Sequence, residues 1–458
     1  MNEVRCTIRG SALLRSARPV PDVALPIHID MPIPRSNRRA LVCLLILLFV
    51  WPRPVMTYSV LSHETIIDAA WTTDILPLLR NRFPSATKDD LRKAHAYAYG
   101  GAIIQDLGYY PYGSKFFSDL THYVRSGDFV QALLRDATDL PEYAFALGAL
   151  AHYAADNEGH KLAVNLAVPK LYPKDKKKYG DVVVYEQDPG SHLKTEFGFD
   201  VVEVAKGNFA PEAYHDFIGF EVAQPLLDRA FRETYGLELA EVLDNEARAI
   251  GSYRHAISST IPKATRIAWA LNRNDIQRDV PSMTRQRFLY NLSPASYEKN
   301  WGRDYRGPSA GERFLAFLFR IIPKVGPLKV LALRTPTPEV QHMFELSFNA
   351  TLATYRRFLA HLDQGQLVLV NDNLDVGEQA PPGKYLLADD TYAALLDQLS
   401  RRNFAGMSDD LRTEVLRFYS TPDALRTSRK NQKARDKVKE DLQRLRAVQP
   451  AAQSAETH

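Results

Sequence analysis

Cysteine is scarce in this chain of 458 residues, which contains only Cys6 and Cys43. Both lie near the N-terminus, so a chain shortened at residue 57 by processing would have no thiol and no disulfide. Any metal ion in such a protein would be bound by histidine and carboxylate side chains. A strong charge of one sign is also missing, because the formal net charge is only +4. The overall charge therefore does not indicate a nucleic-acid binder.

Long apolar runs are rare, and the clearest one, residues 40–51, follows Arg35, Arg38 and Arg39. A basic stretch followed by a short apolar run is the layout of a signal peptide. The run is shorter than the ~20 residues that a membrane-spanning helix needs. A permanent anchor is therefore less favoured, and a retained short anchor is the alternative.

The residues after the apolar run predict a cleavage site. Val55 and Thr57 are the small residues that flank it, and cleavage after Thr57 would leave Tyr58 as the first residue. We therefore expect an exported protein, either periplasmic or secreted.

Apolar residues in the rest of the chain recur at helical spacing, which predicts an all-α fold. The predicted segments are 1–57, an N-terminal extension with a signal peptide; 58–275, a multi-helix domain; 276–422, a mostly helical C-terminal region; and 423–458, a basic charged tail with a solvated helix. Residues 367–370 and 384–387 could form one hairpin or edge strands. The basic residues between 169 and 190 predict an excursion over the surface.

The strongest local signal is the spacing of His152, Asp156 and His160. Side chains four residues apart lie on one face of a helix, about 5 to 6 Å apart at Cβ, so His152 and Asp156 could share a metal ion. A polar stripe on a surface helix is the alternative. The preceding residues 145–151 are apolar, and buried imidazoles beside a carboxylate need a partner, which favours the metal.

A second pair, His192 and Glu196, repeats the four-residue spacing. It follows Pro189, Gly190 and Ser191, which can begin a helix. Such a pair is more often a surface couple than a ligand pair when it stands alone. Two such pairs on one chain make metal binding more plausible.

His63, Asp106 and His122 complete the set of candidate ligands. His63 lies close to the predicted N-terminus, so the amine and carbonyl of Tyr58 could join it around a metal ion. Asp106 follows the small and apolar residues 100–105, where a solvated acid is not expected. Each of these residues alone could equally be a hydrogen-bonded core residue.

The ordered set of candidate ligands is His63, Asp106, His122, His152, Asp156, His160, His192 and Glu196. This order resembles the bacterial zinc-dependent phospholipase C family and its relatives, the catalytic domain of glycosylphosphatidylinositol-specific phospholipase D and the S1/P1 nucleases. The resemblance covers roughly residues 58–204 and leaves the C-terminal half unexplained. It implies that residues 58–275 form an all-helical phospholipase C/P1 nuclease-like domain that binds two to three zinc ions.

The resemblance also implies how the ligands are divided. Asp106, His122, His152 and Asp156 would form one site, His160, His192 and Glu196 a second, and Tyr58, His63 and Asp156 a third. The spacing from Asp156 to His160 is shorter than in the secreted phospholipases and is closer to that of the phospholipase D branch. Glu196 matches the phospholipases, whereas the nucleases usually have Asp there.

These features predict a zinc-dependent phosphodiester hydrolase that acts on phospholipid head groups, with Asp106 as the catalytic residue that orients or deprotonates water. The tyrosines at 109, 110 and 112 could line a head-group pocket or form a packed turn. The protein could make a transient contact with a membrane surface, and stable nucleic-acid binding is not expected. An S1/P1-like nuclease, using the lysines at 174–178, and a non-catalytic helical binding protein are the alternatives. The oligomeric state is left open.

Overall fold

The computed structural model describes residues 60–206, 219–257, 333–421, 424 and 432–448. These residues are mostly helical and contain no strand, so the predicted all-α fold class is confirmed for them. Tyr58, the signal peptide and the three predicted segment boundaries all lie outside this part of the chain.

Within residues 60–206 and 219–257, the structure describes twelve helices. They are α1 (Val60–Ala70), α2 (Leu76–Arg82), α3 (Lys88–Gly101), α4 (Lys115–Tyr123), α5 (Ser126–Asp136), α6 (Leu140–Gly159), α7 (Asn165–Leu171), α8 (Pro173–Tyr179), α9 (Pro189–Lys206), α10 (Gln224–Tyr235), α11 (Leu239–Val242) and α12 (Glu246–His255). A 3₁₀ segment at Ile104–Tyr109 and π-helical turns at Trp71–Ile75 and His160–Val164 connect some of them.

Four further helices follow in the described part of the C-terminal half: α13 (Pro338–Asp363), α14 (Leu386–Arg401), α15 (Asp409–Phe418) and α16 (Gln432–Ala447). Their starts follow from local chemistry, because Thr337 and Ser408 accept hydrogen bonds from the first turns of α13 and α15.

Helix α6 lies at the centre of the protein and is buried over almost its whole length. It is rich in alanine, so neighbouring helices approach it closely. Where α6 crosses α3, a Cβ atom on Gly148 would lie 2.1 Å from the carbonyl oxygen of Ala98. The small residues of α6 therefore set the helix packing that holds its polar side chains in the interior.

Helix α13, from the C-terminal half, packs along α6. The buried Tyr355 hydroxyl donates to the carbonyl oxygen of Leu147 at 3.0 Å, and Thr354 donates to Glu158 at 2.8 Å. The C-terminal helices are thus part of the same core as the helices of residues 60–257.

The predicted hairpin at 367–370 and 384–387 is wrong. The described residues there form only an isolated bridge between Asn373 and Glu378, and α14 begins at Leu386. Polar partners explain the absence of strand pairing, because the Leu369 amide donates to the Gln131 side chain and the Val370 carbonyl accepts from the Tyr153 hydroxyl.

Two predictions of surface segments also need correction. The helix in the basic tail is not fully solvated, because Leu442 and Leu445 of α16 are buried and α16 packs on α14. The excursion between 169 and 190 contains α8, which is exposed, but it also buries Val183 and Tyr185. No described helix is long and apolar enough to cross a membrane.

Candidate metal centre

Helix α6 supplies both carboxylate and imidazole groups to a buried centre. Each step of four residues along an α-helix rotates the side-chain direction by about 40° beyond a full turn. The side chains of His152, Asp156 and His160 therefore spread over an arc of about 80° around the helix axis. A π-helical turn begins at His160, where α6 ends. His152 and Asp156 therefore face one set of neighbours, while His160 faces α9.

The first group of ligand atoms joins α6 to α4 and the 3₁₀ segment. His122 Nε2 lies 3.4 Å from Asp106 Oδ1 and 3.3 Å from Asp156 Oδ2. His152 Nε2 lies 3.1 Å from Asp156 Oδ2 and 3.5 Å from His122 Nε2. All four side chains are buried. The structure thus brings together the four residues that the family resemblance assigned to the first site.

Main-chain carbonyl groups orient the imidazoles of this group. His122 Nδ1 donates to the carbonyl oxygen of Ser118 at 2.8 Å, and His152 Nδ1 donates to that of Ala102 at 3.0 Å. A carbonyl oxygen only accepts, so Nδ1 carries the proton in each ring. Both Nε2 atoms are then turned towards carboxylate oxygens, an arrangement that needs either a second proton or a metal ion.

His63, from α1, closes the group on the other side of Asp156. Its Nε2 lies 3.5 Å from Asp156 Oδ1, and its ring stacks on that of His152 with centroids 4.5 Å apart. Burial and the neighbouring His152 lower the pKa of His63 to about 3. This imidazole is therefore neutral near pH 7, which is the form that binds metal.

The second group consists of His160, His192 and Glu196. His192 and Glu196 lie on α9, which begins at Pro189 as predicted, and His192 Nδ1 is 3.7 Å from Glu196 Oε1. His192 Nε2 donates to the carbonyl oxygen of Val183 at 2.5 Å, which leaves Nδ1 as the free donor atom for a metal. Burial raises the pKa of Glu196 to about 8.

In the first group, the imidazoles and the carboxylates shift one another's pKa. Burial opposes ionisation, but the carboxylates of Asp106 and Asp156 outweigh it and raise the pKa of His122 and His152. Burial likewise opposes the charge of Asp156, yet His152 and His122 hold its pKa well below the usual range. The interior thus holds an anionic carboxylate that is balanced by cations, which zinc could supply in place of protons.

The donor atoms fit zinc in type and in spacing. Three sets lie with their ligand atoms within 4.8 Å of one another: His63, His152 and Asp156; Asp106, His122 and His152; and His160, His192 and Glu196. Ligands of a tetrahedral zinc ion are separated by about 3.4 Å, as follows from bond lengths of ~2.1 Å. Both oxygens of Glu196, Nδ1 of His192 and Oδ1 of Asp156 are buried and make no hydrogen bond within the described residues.

The three tyrosines that follow Asp106 lie in different environments. Tyr109 is buried, and its ring lies 6.1 Å from His122 and 6.1 Å from Tyr185. Tyr110 packs edge-on against Tyr253 in the core. Tyr112 is exposed, beneath the guanidinium group of Arg248. Only Tyr109 of the three therefore faces the metal centre.

Sequence reasoning missed two kinds of residue around the centre. The first kind acts through its main-chain carbonyl group, as Ser118, Ala102 and Val183 do. Every residue type carries this group, so the sequence gives no signal for it. The second kind is Asp375, a buried carboxylate of the C-terminal half that accepts hydrogen bonds from the hydroxyl groups of Tyr123 and Tyr385. The polar sequence at 371–375 indicates a turn, but not its place beside the centre.

Comparison with known proteins agrees with this geometry. Residues 62–245 match a family model described as zinc dependent phospholipase C. The matched segment contains every proposed ligand except Tyr58, whereas α13 to α16 lie outside it. No curated protein and no solved structure gives a significant match.

Proposed function

We propose, from the match of residues 62–245 to the zinc dependent phospholipase C family model, that the chain is an exported zinc-dependent phosphodiester hydrolase that acts on phospholipid head groups. The convergence of three buried sets of imidazole and carboxylate groups is the observation that carries the proposal. These sets support a proposal of two to three zinc ions per chain, and Tyr58, which lies outside the described residues, is proposed as an additional ligand with His63.

A phosphodiester is anionic, and its hydrolysis concentrates charge on the attacking, leaving and equatorial oxygens. Zinc, when bound, would neutralise this charge and lower the pKa of water towards ~7. The imidazoles of His122 and His152 need no reorientation for this task, because Ser118 and Ala102 already fix their rings. The centre is thus organised before substrate arrives.

Asp106 has the role of orienting the attacking water and accepting its proton. Its carboxylate is buried beside His122, within the first group of ligand atoms. As the water oxygen bonds to phosphorus, the ester bond from phosphorus to the leaving oxygen breaks, and the water proton moves to the carboxylate. Asp106→Asn is expected to lower kcat by about 10²- to 10⁴-fold, the usual range for general acid–base catalysis.

Zinc content is the first test. The parent protein, with Tyr58 as its first residue, is compared with a double variant carrying His152→Ala and Asp156→Ala by elemental analysis. We expect two to three zinc ions in the parent and the loss of at least those shared by these ligands in the variant. His342→Ala, on the exposed part of α13, is the matched control and should keep the metal. A parent without zinc would contradict the proposal.

A substrate panel is the second test. Short-chain phosphatidylcholine and single-stranded nucleic acid are offered to the zinc-loaded protein, and the products are identified. Diacylglycerol would indicate cleavage on the glycerol side of phosphorus, whereas phosphatidic acid would indicate cleavage on the head-group side. Hydrolysis of nucleic acid alone would replace the proposal by the S1/P1-like nuclease. Metal binding without either reaction would leave a helical binding protein.

A further inference from the structure

A tight turn of the C-terminal half lies against the metal centre. It consists of residues 373–378, and we call it the 373–378 turn. Two hydrogen bonds close it: the Asn373 amide donates to the Glu378 carbonyl at 3.0 Å, and the Gly377 amide donates to the Asn373 carbonyl at 2.9 Å. Asn373, Leu374 and Asp375 are buried. The turn lies outside residues 62–245, which match the family model.

The turn supports the end of the helix that carries His122. The carbonyl group of His122 lies in the last turn of α4, where no partner exists within the helix. The Leu374 amide donates to this carbonyl at 3.1 Å. The next residue, Tyr123, donates its hydroxyl to Asp375 at 2.8 Å. The turn thus holds the main chain of the ligand His122 and the side chain of the residue that follows it.

The same turn also reaches the second ligand group through a chain of three hydrogen bonds. The Asn165 side chain donates to the carbonyl of Asp375 at 2.8 Å. The carbonyl of Asn165 accepts from the amide of Val183 at 2.9 Å, and the carbonyl of Val183 accepts from His192. Residues 374 and 375 are therefore linked to ligands of both groups.

Gly377 brings the turn against α6 itself. A Cβ atom at this position would lie 2.2 Å from the carbonyl oxygen of Asn157, the residue that follows Asp156. Gly377 has a positive φ of 68°, which side chains rarely adopt. Only glycine permits this approach, so the contact between the turn and the ligand helix depends on it.

We infer that the 373–378 turn is a positioning element of the metal centre and that Asp375 is its principal positioning residue. Groups beyond the ligands fix ligand orientation and thereby metal affinity. Here the carboxylate of Asp375 holds the phenol groups of Tyr123 and Tyr385, and its loop holds the main chain at His122. The inference rests on the proposed metal centre, but not on which phosphodiester is cleaved.

Metal affinity tests this inference without any measurement of activity. Zinc affinity is determined by competition with a chelator, and the absorption spectrum of the cobalt(II)-substituted protein reports ligand geometry. We expect Asp375→Asn to lower zinc affinity by about tenfold or more and to shift the cobalt spectrum. Tyr385→Phe removes one of the two phenol donors to Asp375 and should have a smaller effect in the same direction.

Asp441→Asn is the matched control. Asp441 is an equally buried carboxylate of the C-terminal half that accepts from Ser400 and Lys437, on α14 and α16. We expect this variant to lower Tm and to leave zinc affinity and the cobalt spectrum unchanged. If Asp441→Asn changed metal affinity as much as Asp375→Asn at equal loss of Tm, the role of Asp375 would be structural only and the inference would fail.

The outcomes separate the inference from the proposed function. Unchanged affinity in folded Asp375→Asn and Tyr385→Phe proteins would overturn the inference, while the metal centre and the proposed function would stand. Reduced affinity in a protein that hydrolyses no phosphodiester would support the inference and contradict the proposed function. A parent that binds no metal would overturn both.

Discussion

Protons and zinc ions compete for the same ligand atoms of the metal centre. The carboxylates of Asp106 and Asp156 raise the pKa of His122 and His152, and burial raises the pKa of Glu196 to about 8. In the metal-free protein these three groups therefore keep their protons to higher pH than usual, and a metal ion must displace those protons to bind.

We predict that zinc binding releases protons and weakens as the pH falls. A raised pKa means that the metal-free form keeps its proton to higher pH, so zinc affinity should rise with pH through the range from 6 to about 8. Calorimetric titration of zinc into metal-free protein, in buffers of different ionisation enthalpy, measures the number of protons released. Zinc affinity that is independent of pH in this range would show that the ligands are already deprotonated.

Glu196 allows the two ligand groups to be separated. Glu196→Gln keeps the size of the side chain but removes the anionic donor from the second group. We expect the variant to lose about one zinc ion per chain while the first group, built on His152 and Asp156, keeps its metal. Elemental analysis measures this loss, and Glu345→Gln on α13 is the control. An unchanged zinc content would remove Glu196 from the set of ligands.

At the scale of helices, the crossing of α3 and α6 determines where the ligands lie. Gly148→Ala would place a methyl group 2.1 Å from the Ala98 carbonyl oxygen, so the helices must move apart. We expect the free energy of unfolding to fall by about 1–3 kcal/mol, as for other overpacked cores. Denaturant unfolding measures the change.

Gly251→Ala is the control for this change. Gly251 lies within α12, and a Cβ atom added there would meet no atom within 4 Å outside its local backbone. Alanine is preferred to glycine in a helix by about 1 kcal/mol, so this variant should be as stable as the parent or more stable. Equal destabilisation by both changes would contradict the prediction, because the close contact at the crossing would then not determine the result.

The helices that carry ligands were largely predictable from the sequence, because their spacing is local. The four-residue spacing alone identified the pairs His152 with Asp156 and His192 with Glu196. Pro189 and its neighbours alone indicated where α9 begins. The neighbouring helices that each ligand faces were not predictable. The π-helical turn at His160 depends on the contacts of that residue with other helices, which local propensity does not encode.

At the scale of the whole molecule, the described helices of the C-terminal half are part of the same core as the helices that carry the ligands. Tyr355 of α13 is fully buried and donates its hydroxyl to the Leu147 carbonyl of α6. This packing was not predictable, since the amphipathic pattern of α13 indicates a buried face but not its partner. The polar turn that contains Asp375 was likewise predictable as a turn and not as a neighbour of the ligands.

We predict that residues 60–257 and 333–448 unfold in one cooperative transition. Tyr355→Phe removes the side-chain hydrogen bond to the Leu147 carbonyl, and we expect it to lower stability by about 0.5–1.5 kcal/mol while unfolding stays a single transition. Differential scanning calorimetry measures both quantities. Tyr112→Phe, at an exposed tyrosine, is the control and should have little effect. Two separate transitions in the parent protein would contradict this prediction.

The contact between Tyr123 and Asp375 joins residues that are 252 positions apart in the chain. In folding, such distant contacts form late, because the entropy of a long loop must be lost before the contact stabilises the chain. The helices that carry the ligands can assemble earlier through their shorter-range packing. The 373–378 turn should therefore dock in a late and slow step, and tight metal binding should appear with that step and not with the collapse of the helices.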